Sequence, residues 1–132
     1  MIDHISLNVT DLKKSHDFYL EALKPLGYEL IYSMEDVAGF GIGITGCSFG
    51  QNQETRLWLS GEGEHTKIHL AFAAESIQMV QEFHEAALLA GGKCNGAPGP
   101  RPHYGPHYYG GFVLDPDGNN IEAVYRSTTP LS

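Results

Sequence analysis

Two stretches of this chain alternate bulky apolar residues with small or polar ones, and in both the polar row carries a histidine. In "KIHLAFA", residues 67–73, Ile68, Leu70 and Phe72 fall on one face of an extended chain and His69, Ala71 and Ala73 on the other, because successive strand side chains point to opposite sides. "IDHISLNV", residues 2–9, repeats the arrangement with Ile5, Leu7 and Val9 against His4, Ser6 and Asn8. His4 and His69 hold equivalent places 65 positions apart. Carrying that offset forward matches Leu12 with Ile77, Phe18 with Phe83, Ala22 with Ala87, Leu23 with Leu88 and Gly27 with Gly92. The pattern therefore contains an internal repeat in which strand, helix and glycine follow in order.

Helical periodicity follows each strand. Leu12, Ser15, Phe18, Tyr19, Ala22, Leu23 and Leu26 make one apolar stripe, with Thr10 or Asp11 placed to cap it. Ile77, Val80, Phe83, Ala87 and Leu88 make the other, with Ser76 as cap and Gly91 as terminator. Strand-like stretches come next: "GYELIYSM", "VAGFGIGI" and "TRLWLSG" in the first half, then "GGKCNGA", "YYGGFVLD" and "NNIEAVYR" in the second. In "DPDGN" Pro116 presets one dihedral and Gly118 or Asn119 accepts positive φ, which makes a hairpin turn between the last two strands. The expected fold is α+β: two βαβββ modules, residues 1–62 and 66–126, with a short tail at 127–132 in a single domain. Their curved mixed sheets are expected to enclose a central cavity, with helices on the outer, apolar faces.

The last strand adds a third group to the polar face. In "NNIEAVYR" Ile121 and Ala123 form the apolar row, so Glu122 shares the enclosed face with His4 and His69. A carboxylate between Ile and Ala is costly to bury unless it is paired or bound to a cation. Two imidazoles and one carboxylate are the facial set that holds a divalent metal such as Fe, Mn, Zn or Ni while leaving positions open for substrate or oxygen. The competing reading is a plain buried hydrogen bond between His69 and Glu122.

At these residues the chain resembles the vicinal oxygen chelate superfamily, which includes glyoxalase I, extradiol dioxygenases, fosfomycin-resistance thiol transferases and bleomycin-resistance proteins. "DHISLNVTDLKKSHDFYLEAL", "IHLAFAA" and "FVLDPDGNNIEAV" carry the resemblance, which spans nearly the whole chain. It implies paired modules closing around one divalent metal, with ligand positions falling on His4, His69 and Glu122, and a homodimer in which modules can be exchanged between subunits. Glyoxalase I has a further carboxylate on the last strand of its first module. Trp58 stands there in "TRLWLSG", and an indole offers only an N–H donor. The resemblance thus implies a metal-dependent lyase, dioxygenase or transferase other than a standard glyoxalase I. The alternative is a metal-free small-molecule binding or resistance protein of the bleomycin-resistance type; a regulatory or structural dimer that keeps only the scaffold is a third reading.

Composition narrows the partners. With 16 acidic against 8 basic residues and a formal net charge of −8, the chain lacks the clustered Lys and Arg that nucleic acid or an anionic membrane requires. Cys47 and Cys94 belong to no C-x-x-C pair, and no signal-like segment opens the chain, so a reduced, cytoplasmic protein acting on a small molecule is expected. "GIGITG", Gly41 to Gly46, satisfies G-x-G-x-x-G, but the polar, turn-rich "CSFGQNQET" follows it where a dinucleotide site needs a helix. "RPHYGPHYYGG", residues 101–111, is either a solvated connector or a lid over the site. On the second view His103 and Tyr108 are catalytic candidates that exchange protons with substrate. Tyr104, His107, Tyr109, Trp58 and Arg56 are candidates to bind it, and Arg101 is a further possible carboxylate anchor.

Overall fold

The computed structural model describes residues 4–42 and 55–131. Its elements run β1 (Ile5–Asn8), α1 (Leu12–Ala22), β2 (Tyr28–Met34), β3 (Val37–Ile42), β4 (Thr55–Ser60), β5 (His69–Ala73), α2 (Ile77–Leu89), β6 (Lys93–Pro100), β7 (Tyr108–Leu114) and β8 (Asn120–Arg126). Two four-stranded mixed sheets result, ordered β1-β4-β3-β2 and β5-β8-β7-β6. In each, the first strand pairs parallel with the fourth and the other pairs are antiparallel. The fold is α+β with two similar modules. Of "GIGITG", the first two residues end β3 and the rest lies outside the described residues, as does Cys47.

The helices begin and end where the local chemistry directs. The Asp11 carboxylate accepts from Lys14 N at 3.1 Å and the Ser76 hydroxyl from Met79 N at 3.1 Å, each satisfying one orphan amide of a first turn. Pro25 cannot continue α1, and a 3₁₀ turn at Lys24–Leu26 takes over. The buried stripe of α2 is Val80, Phe83, His84 and Ala87, while Leu88 is exposed. At about 100° per residue Leu88 sits roughly 80° round from Val80, at the edge of the buried face. His84 takes the place expected for it. β6 runs on through Pro98 and Pro100, which an edge strand tolerates because its outer N–H groups have no partner to lose.

Leu7, Phe40, Leu57 and Leu59 from one sheet, Phe72, Val113, Ile121 and Ala123 from the other, and the inner faces of both helices form one continuous core. The helices cover the apolar faces and also touch each other. No strand of one sheet pairs with a strand of the other among the described residues, so the sheets do not close into a barrel within the chain. The modules are joined on the helix side instead. There the turn at 115–119 is built around the Asp115 carboxylate, which accepts from Asp117 N at 3.0 Å, Asn119 N at 2.8 Å and Asn119 Nδ2 at 2.9 Å. Gly118, at φ 83°, supplies the left-handed residue. The hydroxyl of Tyr19, on α1, donates to the same carboxylate, and Thr10 donates its N–H and hydroxyl to Asp117.

That joint makes stability sensitive to high pH. Burial, reinforced by the adjacent Asp115 charge, holds the Tyr19 phenol well above its ordinary value near 10. A folded-state pKa above the unfolded one contributes stability that is complete below about pH 10 and is lost as pH rises beyond it, at up to about 1.4 kcal/mol per pH unit. Thermal melts should therefore be flat to about pH 9 and fall above pH 10. In Tyr19→Phe, which has no phenol to ionise, the alkaline fall should be visibly shallower; equal slopes would remove Tyr19 as its cause.

Candidate functional site

The polar faces of the two sheets are equivalent position by position. Ser6 is paired with Trp58 across β1 and β4, and Ala71 with Glu122 across β5 and β8. Ser6 and Ala71 each lie two beyond their module's histidine, His4 and His69, so Trp58 occupies in the first sheet the place that Glu122 holds in the second. Leu57 and Leu59 are buried on the opposite face, while Trp58 is half-buried, its ring edge-on to Tyr32 at 5.7 Å. Arg56 alternates onto the same side as Trp58. His4 precedes β1 and is exposed.

On the second sheet, Glu122 is only 1 % exposed, yet one strand away His69 reaches it: Nε2 lies 2.8 Å from Oε2. The Tyr108 hydroxyl donates to the other oxygen, Oε1. Glycine leaves them room to meet: a Cβ at Gly110 would stand 3.1 Å from Glu122 Oε1 and 3.1 Å from Tyr108 Cε1, so either side chain would have to shift. Burial first, then the hydrogen bond to Glu122 and its charge, push the Tyr108 phenol up to about 12. Tyr108 therefore keeps its proton at neutral pH and acts toward Glu122 as a donor. Phe112 is paired with Glu122 across β7 and β8, and its ring faces His69 at 6.2 Å. Beside His69 in the register stands Asn120, whose buried Oδ1 has no hydrogen-bond partner.

Of the residues in 101–111, Tyr108 joins the carboxylate. Tyr104 stacks edge-on against Tyr108 at 5.1 Å, and His103 stands on the outer side of Tyr104 at 4.1 Å, both exposed. The other two go elsewhere. His107 Nδ1 meets the carbonyl of Ser127 at 3.0 Å. Tyr109 is 8 % exposed on the helix side, where Gln81 Nε2 donates to its hydroxyl at 3.2 Å. The reason is parity: β7 starts at Tyr108, so Tyr108, Gly110 and Phe112 share the polar face and Tyr109, Gly111 and Val113 the apolar one. Phe112 and Gly110 lie in the strand-like stretch "YYGGFVLD" but were not among the candidate site residues; the same period of two that identified His69, counted from Tyr108, puts them on the polar face.

The donors present suit a divalent ion in part. Two ligands bound at about 2.1 Å and at right angles stand roughly 3 Å apart, close to the 2.8 Å between His69 Nε2 and Glu122 Oε2. The orphaned oxygen of Asn120 shows that this face has unused acceptor capacity. No third His, Cys, Asp or Glu joins the pair among the described residues of one chain.

A repeated βαβββ module, with a histidine just before the first strand of one sheet, a strand histidine on the polar face of the other and a buried strand carboxylate beside the second, defines a paired-module α+β protein. The chain belongs to the Glyoxalase/Bleomycin resistance protein/Dioxygenase superfamily, whose family model matches residues 1–123. Solved structures agree. A glyoxalase/bleomycin resistance protein from Albidiferax ferrireducens T118 superposes with a TM-score of 0.73 at 27% identity, over 95% of this chain and 98% of that one. A glyoxalase-related enzyme from Fulvimarina pelagi has the same fold, with a TM-score of 0.70, 21% identity, and coverage of 100% and 92%. A glyoxalase I variant from Zea mays aligns with a TM-score of 0.65 at 26% identity over 92% of this chain and 45% of its own. Among curated proteins none matches the sequence. Among the described residues no helix is long and apolar enough to cross a membrane.

Proposed function

We propose that this chain is a cytoplasmic, homodimeric metalloenzyme acting on a small substrate that presents two neighbouring oxygens. His69 and Glu122 are two ligands, and His4 of the partner subunit is the third. One observation carries the reading: a carboxylate 1 % exposed, set between apolar neighbours, faces an imidazole nitrogen at 2.8 Å. A bound divalent ion would supply Lewis acidity toward substrate oxygens or, as iron, oxygen activation. The protein's part is positional. Tyr108 holds one oxygen of Glu122 and leaves the other toward His69. His103, whose ring meets Tyr104 of the Tyr104–Tyr108 stack, would exchange a proton with a substrate lying over that stack. Trp58 and Arg56 would form the facing wall. Because Trp58 replaces the fourth ligand of glyoxalase I, turnover of thiohemiacetals is expected to be weak.

The first measurement is elemental analysis of protein purified without chelator. Wild type should carry about one divalent ion per chain, and His69→Ala should lose it while melting like the metal-free wild type, since the ligand face is separate from the helix-packing face. A heterodimer of His4→Ala and His69→Ala chains tests the shared site. One of its two sites would keep all three ligands, so about one ion per dimer should return where each parent holds none. Wild type free of metal would favour the alternative, a binding module in which His69, Glu122 and Tyr108 form a closed hydrogen-bonded set.

A further inference from the structure

On the same sheet face as His69 and Glu122, Arg101 is held in a way that its own strand accounts for but the rest of the protein does not use. Its Nη1 donates to the carbonyl of Pro100 at 3.2 Å and its Nη2 to that of Ala97 at 2.6 Å. The guanidinium lies over the Phe112 ring, with Cζ 5.3 Å from the centroid. The glycines of β6 make room for it: a Cβ at Gly96 would stand 3.3 Å from Nη2 and one at Gly99 3.2 Å from Nη1. Two of the five guanidinium N–H groups are thus spent on backbone carbonyls and three remain. In a chain with 16 acidic residues against 8 basic ones, this half-buried cation meets no carboxylate among the described residues. A fixed, flat, uncompensated guanidinium beside a candidate site is a receptor for a planar anion.

We propose that Arg101 is the anion subsite of this face and that the substrate is a small organic acid whose carboxylate it binds. The inference deepens the proposed function and rests on its assignment of this face to substrate. Phe112 is directly opposite Glu122 in the register, so the guanidinium above Phe112 and the Glu122 carboxylate are one to two strand spacings apart, roughly 5–10 Å. The acid group of the substrate accordingly lies that far from its reacting oxygens. A second guanidinium, Arg126, sits over Tyr108 at 5.0 Å but is exposed and, among the described residues, anchored to no backbone carbonyl; it serves as the control for charge alone.

The test uses 3-phenylpropionate and its neutral isostere 3-phenylpropionamide, titrated into the full-length protein while the side-chain Nε–H signals of arginine are followed by NMR. The carboxylate should bind saturably, shift the Arg101 signal and exceed the amide in affinity by about tenfold or more. Arg101→Gln should lose that preference, and Gly99→Ala, which keeps the charge but displaces the guanidinium, should weaken carboxylate binding severalfold. Arg126→Gln should stay within about twofold of wild type. Equal binding of acid and amide overturns the inference, as does undiminished carboxylate binding in Arg101→Gln or an equal loss in Arg126→Gln. Repeating the titration with His69→Ala separates the two readings. Carboxylate preference without metal in any form of the protein would sink the metal site and leave the subsite standing. Normal metal content with no carboxylate preference would do the reverse.

Discussion

Asp115→Ala should cost the protein about 3–5 kcal/mol, the largest effect of any single change considered. The carboxylate is 5 % exposed and is the acceptor for Tyr19 Oη, Asp117 N, Asn119 N and Asn119 Nδ2. Its removal leaves a fully buried phenol and a buried amide without acceptors, and groups stranded in this way cost their full desolvation energy. Against a total stability of about 5–15 kcal/mol, the midpoint of thermal unfolding should fall by roughly 10–20 °C. Tyr19→Phe removes one donor together with its need for an acceptor and should cost only about 1.5–3 kcal/mol. In the double variant the loss should be smaller than the sum, because the two residues share one hydrogen bond. Calorimetry on the four proteins measures this directly. An Asp115→Ala protein within about 1 kcal/mol of wild type would show that the turn does not join the modules.

Glu122→Gln should abolish metal binding with little change in stability of the metal-free protein. The amide is nearly isosteric; its oxygen can accept from Tyr108 and its NH₂ can donate to a neutral His69, so the hydrogen-bonded set survives. What disappears is the charged ligand, and occupancy should drop from about one ion per chain to below about a tenth. Tyr108→Phe leaves the ligand and removes only its orienting donor, for which a loss of about 10–100-fold in affinity is expected. Linkage gives a readout that needs no substrate: added Mn²⁺ or Ni²⁺ at 100 times Kd should stabilise wild type by about 2.7 kcal/mol and leave Glu122→Gln unmoved. A Glu122→Gln protein that still gains stability from metal would place the site elsewhere.

Several features of this molecule are written locally. Strand alternation depends only on the chain's own pleat, so the sharing of one side by His69 and Glu122, and the turning of Trp58 away from Leu57 and Leu59, were legible without any tertiary information. The same holds for the helix caps at Asp11 and Ser76 and for the turn at Gly118, where the side chain or the missing Cβ acts within a few residues of itself. The repeat was legible because both modules bury their apolar faces by the same periodicities of 2 and 3.6.

What the tertiary structure decided is how those faces are used. Hydrophobic pattern says which side of a strand avoids water and is silent on what covers it. The helix-side junction through Tyr19, Asp115 and Thr10 therefore could not be read from periodicity, nor could the failure of the two sheets to close within one chain. The strand-like "YYGGFVLD" has no bulky apolar row at its start, and a shift of one position would exchange Tyr108 with Tyr109 between the polar face and the core. Only the pairing of β7 with β8 sets that parity. It brings Tyr108 and Phe112 to Glu122 and buries Tyr109 under α2, which leaves the Phe112 ring on the polar face for the Arg101 guanidinium to lie over, since register is a property of two strands and not of either one alone.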